Sequence, residues 1–219
     1  MVGRSPTAKG APLSLVERKQ RAARGRIIEA ADALFAERGF DNVSVTDIAE
    51  RAEVGRTTFF RHFGDKIEVV FAKEQALFDA ITDSTSDVWT PAQSIDTLAG
   101  AVSALEPLVV RLCRQATADL AAYQRHTLLV DAHEELRARE ALKHQDIATK
   151  LAQVLLERGA PRDIATVAAN LAVACYTSGR TLAIESADLI AKTQDAFRTT
   201  LAMNFSPRER ADSGMNGGT

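Results

Sequence analysis

Twenty residues near the start of the chain, SVTDIAERAEVGRTTFFRHF at 44–63, constrain its fold more tightly than any other stretch. Ser44 is a helix N-cap, and Asp47, three positions on, supplies the returning acid of a capping box. Val45, Ile48, Ala49 and Ala52 fall on one side of the helix that follows. Glu53-Val54-Gly55 interrupts it after about two turns, and Gly55 serves as the N-cap of a second short helix, RTTFFRHF. A short helix, a three-residue turn and another short helix have the dimensions of a helix-turn-helix. Two turns of an ordinary bundle are the alternative, but they leave the basic, hydroxyl-rich face of the second helix unexplained.

That second helix contains adjacent phenylalanines, which helical geometry sets about 100° apart. Phe59 and Phe63, four apart, share one face and are expected to pack on Ile48, Ala52 and Phe35. Arg56 with Phe60, and Thr57 with Arg61, make a different and contiguous face. Its guanidinium groups suit guanine O6/N7 or phosphate, its hydroxyl a base edge or phosphate, and its ring a thymine methyl or a sugar. Thr58, His62 and Lys66 lie towards the edge of this surface, where they would fix phosphates rather than read bases. A wide core stripe is the other reading for Phe60, and a ring packed within the protein the other reading for His62.

Helical spacing recurs along the rest of the chain, and the expected class is all-α. Residues 1–17 read as a flexible basic arm, followed by a helix to Arg38 with Ile27, Ala31, Leu34 and Phe35 on its buried stripe. Gly39 is expected as a left-handed cap, with Phe40 making the accompanying apolar contact. Asp65 starts a fourth helix running to about Asp83. Further helices are expected at about 95–118, 121–132, 134–158, 162–184 and 187–204. Pro107 starts or kinks one of them, and Gly159 and Pro161 mark a boundary. The stretch 164–183 is rich in alanine, which permits close helix contact. The tail from residue 206 is expected to be disordered.

The 219 residues carry 27 basic and 29 acidic side chains, a net charge of −2 that conceals an asymmetry. Residues 1–66 hold 12 Lys/Arg against 9 Asp/Glu, and residues 1–26 hold seven basic groups against Glu17 alone. A basic end on an otherwise acidic chain points to a polyanion partner at that end. Cys113 and Cys175 sit in apolar helical contexts without CxxC spacing, as expected of reduced, buried thiols in a cytoplasmic protein. No apolar run reaches the length of a membrane span. No HExxH, P-loop, Ser-His-Asp set or Cys/His metal spacing is present, so neither enzyme chemistry, a metal nor a cofactor is expected. An all-α ligand-binding protein or enzyme without DNA binding is the alternative class.

The stretch GFDNVSVTDIAERAEVGRTTFFRHFGDK resembles the N-terminal domain of the TetR family of bacterial transcriptional regulators. Gly39-Phe40, Ser44, Ile48-Ala49, Val54, Thr58, Phe60, His62-Phe63 and Lys66 fall in the family's register. The chain departs from it twice: Glu53-Val54-Gly55 replaces the usual Gly-Val-Ser turn, and Phe60 stands where many members have tyrosine. The resemblance implies a helix-turn-helix domain at 18–66 and a ligand-binding and dimerisation domain at 67–205. It implies that Thr46 approaches DNA, which with Ser44, Arg56, Thr57, Thr58, Phe60, Arg61, His62 and Lys66 completes the expected contact set. It further implies a homodimer through about 162–204, a palindromic double-stranded DNA operator, and repression released by a small effector. The lack of a charged cluster on buried faces suggests that this effector is largely apolar. Trp89, Tyr123, His126 and Tyr176 are the large or polar-tipped side chains available to line its pocket, with ordinary packing or exposure as the alternative for each.

Overall fold

The computed structural model describes residues 14–73, 75, 76, 78 and 94–203; these are helical and without β-strand, and they form two units. The first unit takes the described chain up to Ala76 together with His126–Glu140; the second takes the remainder.

In the first unit α1 (Leu15–Arg38) begins on a capping box. The Glu17 amide donates to Ser14 Oγ at 3.2 Å and the Ser14 amide to Glu17 Oε2 at 2.7 Å. Its stripe buries Ala23, Ile27, Ala30, Ala31, Leu34 and Phe35. Gly39 ends it at φ 75°, ψ 156°, a positive φ but an extended ψ rather than the left-handed helical cap expected. Phe40 follows, 1% exposed, with its ring 5.2 Å from that of Phe35.

Helix α2 (Val45–Arg51) has the expected Ser44–Asp47 box, with the Ser44 amide donating to Asp47 Oδ2 at 2.8 Å. Helix α3 (Arg56–His62) starts at Gly55 with no side-chain cap. Ile48, Ala49, Ala52, Phe59 and Phe63 join the α1 stripe in one core. Arg51 ties α2 back to α1 through two hydrogen bonds to Glu37, at 2.9 and 3.1 Å.

The fourth helix is not continuous as expected. Helix α4 (Lys66–Val70), capped by Asp65, stops at Phe71, which is fully buried and takes a turn conformation before helix resumes at Ala72. Burying that ring is the local gain that accompanies the interrupted ladder. The expected end near Asp83 lies outside the described residues, as do most of the basic arm and the tail from residue 206.

The second unit is built chiefly from α5 (Leu98–Ala116), α8 (Arg162–Leu182) and α9 (Leu189–Ala202), which pack on one another. The connecting helices α6 (Leu120–Ala132) and α7 (Glu134–Leu156) each change unit part-way along. Pro107 lies inside α5 at an exposed position instead of opening a helix. Pro161 is the N-cap of α8, and a 3-10 turn at Ser186–Asp188 separates α8 from α9.

Helix α8 buries Ala165, Ala168, Ala169, Ala172, Cys175 and Gly179. The small stripe ends in a very close crossing: a Cβ on Gly179 would stand 2.3 Å from Thr193 Oγ1 and 2.7 Å from its Cα. Thr193, fully buried, places its hydroxyl 3.8 Å from Cys113 Sγ, and Thr200 sits 3.4 Å from Cys175 Sγ. Burial pushes the Cys113 thiol up to about 11, which keeps it protonated and unreactive.

Candidate nucleic-acid interface

The two adjacent phenylalanines part as the helical wheel requires. Phe59 is 0% exposed and Phe60 47%, their rings meeting edge-on at 5.6 Å. Phe63 is buried with Phe59, their ring centroids 5.9 Å apart. Exposure at this level excludes the wide core stripe as the reason for Phe60. Arg56, Thr57 and Arg61 are exposed beside it, and Thr58 is half-buried. Neither Arg56 nor Arg61 has an ion-pair partner among the described residues, so both guanidinium groups are available to an anion.

Ser44 and Thr46 are exposed at the start of α2. Ser44 already uses its hydroxyl on the Asp47 amide and carboxylate, so its first role is to begin the helix. Those bonds, the ones to Ser44 first and the nearby Arg38 charge after burial's opposing effect, hold the Asp47 carboxyl below its ordinary range.

The phosphate-fixing edge is more occupied than its sequence suggests. Lys66 Nζ donates to the carbonyls of Phe40 at 3.0 Å and Val43 at 3.3 Å, and lies 4.1 Å above the Phe40 ring. An ammonium has three donors, so one is left for any ligand. His62 is half-buried, and its Nε2 is buried without a hydrogen-bond partner. Burial first, then the charges of Arg61 and Arg24, lower its pKa. The imidazole is therefore neutral near pH 7.

Arg24 and Arg26 were not singled out by sequence. Arg24 donates to the His62 carbonyl at 3.4 Å with its guanidinium 4.4 Å above the Phe63 ring, and Arg26 Nε donates to the Ala52 carbonyl at 3.0 Å. They satisfy carbonyls at the C-terminal ends of α3 and α2, which helix geometry leaves unpaired. The sequence signal was present as basic residues on α1, but their partners are 26 and 38 positions away. Glu53 takes φ 52° in the turn, where a side chain is disfavoured and the related pattern has glycine.

Of the residues proposed for an effector pocket, Tyr123 is buried in the core of the second unit, and Tyr176 packs against that core with its ring 5.6 Å from His144. His126 belongs instead to the first unit, edge-on to Phe71 at 5.7 Å. Trp89 lies outside the described residues. Among the described residues there is no group of His, Cys, Asp or Glu arranged for a metal, and no helix long and apolar enough to cross a membrane.

Two short helices set in a three-helix core, the second with a bare basic and aromatic face, define a helix-turn-helix module of the DNA-binding class. Residues 27–72 match the sequence model of "Bacterial regulatory proteins, tetR family". The regulator TcmR of Streptomyces glaucescens is 37% identical over 78 residues, 35% of this chain and 34% of that protein. TtgR of Pseudomonas putida is 37% identical over 73 residues, 33% of each chain. The chain thus matches about a third of the length of these curated relatives. SmeT, the repressor of the Stenotrophomonas maltophilia multidrug efflux pump SmeDEF, shares the fold at a TM-score of 0.54 and 21% identity, over 84% of this chain and 90% of that one. It is also known as a triclosan complex. Thermus thermophilus FadR, solved with lauroyl-CoA, aligns at a TM-score of 0.50 and 23% identity over 89% of this chain and 100% of that one. The chain is a member of the TetR family of transcriptional regulators, and residues 27–72 carry the match.

Proposed function

We propose that the protein is a ligand-responsive transcriptional repressor that binds a palindromic operator as a homodimer. The observation that carries this reading is the division of α3: Phe59 and Phe63 anchor it, while Arg56, Thr57, Phe60 and Arg61 stand free on one face. Arginine on a short helix set in a groove offers bidentate hydrogen bonds to guanine, and the ring offers apolar contact to thymine. Thr46, Thr58 and the remaining donor of Lys66 are assigned to phosphates, with Ser44 supporting them by starting α2. His62, neutral and partly packed, gives the weakest contact of the set.

Dimerisation through 162–204, helices α8 and α9, places two recognition helices about 34 Å apart, one DNA turn. The second unit would hold a small, largely apolar effector; the triclosan and lauroyl-CoA carried by proteins of this fold support that chemistry. An effector favouring one conformation lowers operator affinity by its differential binding to the two. The role is binding rather than catalysis, in the cytoplasm.

A mobility-shift titration with duplexes tiled across the DNA flanking its own gene tests this. Saturable binding to one fragment, weakened by salt and redirected between operators by Arg56→Ala, is expected. Binding equal on all fragments, and unaltered in preference by that substitution, overturns the reading.

A further inference from the structure

We propose that the first two turns of α1, residues 15–22, form a docking projection that lies along duplex phosphates flanking the base-contacting steps, through Arg18, Lys19 and Arg21; this rests on the reading of the chain as a DNA binder. Every residue from Ser14 to Ala22 is exposed, and Ala23 is the first that the core covers. Two uncovered helical turns are marginal in water, because nucleation costs more than so few hydrogen bonds return. The chain nevertheless begins them with a complete capping box. A capped projection that adds nothing to the core is a rigid surface held ready for something else.

Charge names the occupant. The basic residues of α1 divide into two sets: Arg24 and Arg26 turn inward onto carbonyls, whereas Arg18, Lys19 and Arg21 are exposed with no ion-pair partner within hydrogen-bonding distance among the described residues. Glu17, the acid of the stretch, has its carboxylate on the Ser14 amide. Position follows from Arg24, whose bond to the His62 carbonyl sets α1 against the last turn of α3, where Arg61 is exposed. From there α1 runs back about 13 Å to Leu15. Arg21, three residues before Arg24, shares its side of the helix one turn further out. A row of cations therefore continues from the recognition helix away from the bases. About 13 Å of duplex presents on the order of eight phosphate charges, more than enough to engage three side chains. Contacts of this kind position the protein and carry no sequence information.

The test compares the full-length protein with Arg18→Gln, Lys19→Gln, Arg21→Gln combined. Glutamine keeps helix propensity and these side chains touch no core, so circular dichroism and melting are unchanged. Binding to the duplex fragments flanking its own gene is measured by anisotropy from 50 to 300 mM KCl, with hydroxyl-radical footprints. The slope of log K against log salt should fall by two to three, at about 0.9 per phosphate contact. Affinity near 100 mM should drop at least tenfold, the outer footprint edges should be lost, and operator preference should stay as it was. A slope and footprint equal to wild type overturn the proposal. So does an equal fall in slope for Arg114→Gln, Arg125→Gln, Arg162→Gln combined, which removes the same charge elsewhere. A change in oligomeric state with an unaltered slope gives the projection, with its exposed Leu15 and Val16, to a second copy and also overturns it. Failure of the wild type to bind any fragment overturns the DNA reading itself, a result distinct from all of these.

Discussion

Truncating Phe59 and Phe60 separately should break folding in one case and recognition in the other. Phe59 is 0% exposed in a core shared by α1, α2 and α3. Phe→Ala at such a site costs about 3–5 kcal/mol through lost transfer and the cavity left behind. Phe60 is 47% exposed; full burial of such a ring is worth about 1.5–3 kcal/mol, so about half of that remains to lose. Alanine returns about 0.5 kcal/mol of helix propensity, leaving a net loss below about 1 kcal/mol. The exposed part of the Phe60 ring is worth about 1 kcal/mol if DNA covers it. Two half-sites then lose about 2 kcal/mol, roughly thirtyfold in Kd. Urea unfolding of the domain and anisotropy against the operator read the two quantities independently. Equal destabilisation by both substitutions, or operator affinity within twofold of wild type for Phe60→Ala, refutes the assignment of opposite faces.

Gly179→Ala should destabilise the second unit by about 1–3 kcal/mol, because its Cβ meets the Thr193 backbone rather than a flexible tip; an unchanged urea midpoint would show that α8 and α9 separate freely. Glu53→Gly should raise stability by about 1 kcal/mol by relieving a side chain held at φ 52°, and a lower melting temperature would contradict this. For His62, burial and two nearby arginines lower the folded pKa below the unfolded value of 6.5. The unfolded chain therefore binds the extra proton first as pH falls below 6.5. The His62 contribution to stability is complete above that pH and is lost as acid approaches the folded pKa. His62→Gln should flatten part of the decline in urea midpoint between pH 7.5 and 5.5, and an identical profile in both proteins would remove His62 from the account.

The local grammar of the first unit was legible in sequence because each signal acts within a few residues. Ser44 and Asp47 cap α2, Gly55 starts α3, and the four-residue spacing of Phe59 and Phe63 fixes which side of the helix is buried. Interactions of long reach were not legible. Lys66 looks like a phosphate ligand when read beside His62, but its ammonium sits on the carbonyls of Phe40 and Val43, more than twenty residues earlier. Arg24 and Arg26 look like part of a basic arm, and the carbonyls they satisfy appear only once α1 is folded against α2 and α3. The break at Phe71 has the same origin, since continuous apolar periodicity gives no sign that a tertiary contact will interrupt it. The pocket candidates Tyr123, His126 and Tyr176 were chosen by residue type alone, and they divide between the two units.

The segment His126–Glu140 gives the first unit a property that its compact motif conceals. Val130 and Leu136, both fully buried, belong to the same core as Phe59, and His133 sets its ring 5.0 Å from that of Phe40. Arg139 pairs with Glu68 across the same sequence gap. The reading head is therefore not a cassette that ends where its motif ends. A chimera joining residues 1–76 to another protein's sensor would leave Phe40 and its neighbours open to water unless the graft brought its own equivalent of this corner. Exchange of sensors between such regulators is thus limited by a stretch of some fifteen residues that contacts neither of the partners they recognise.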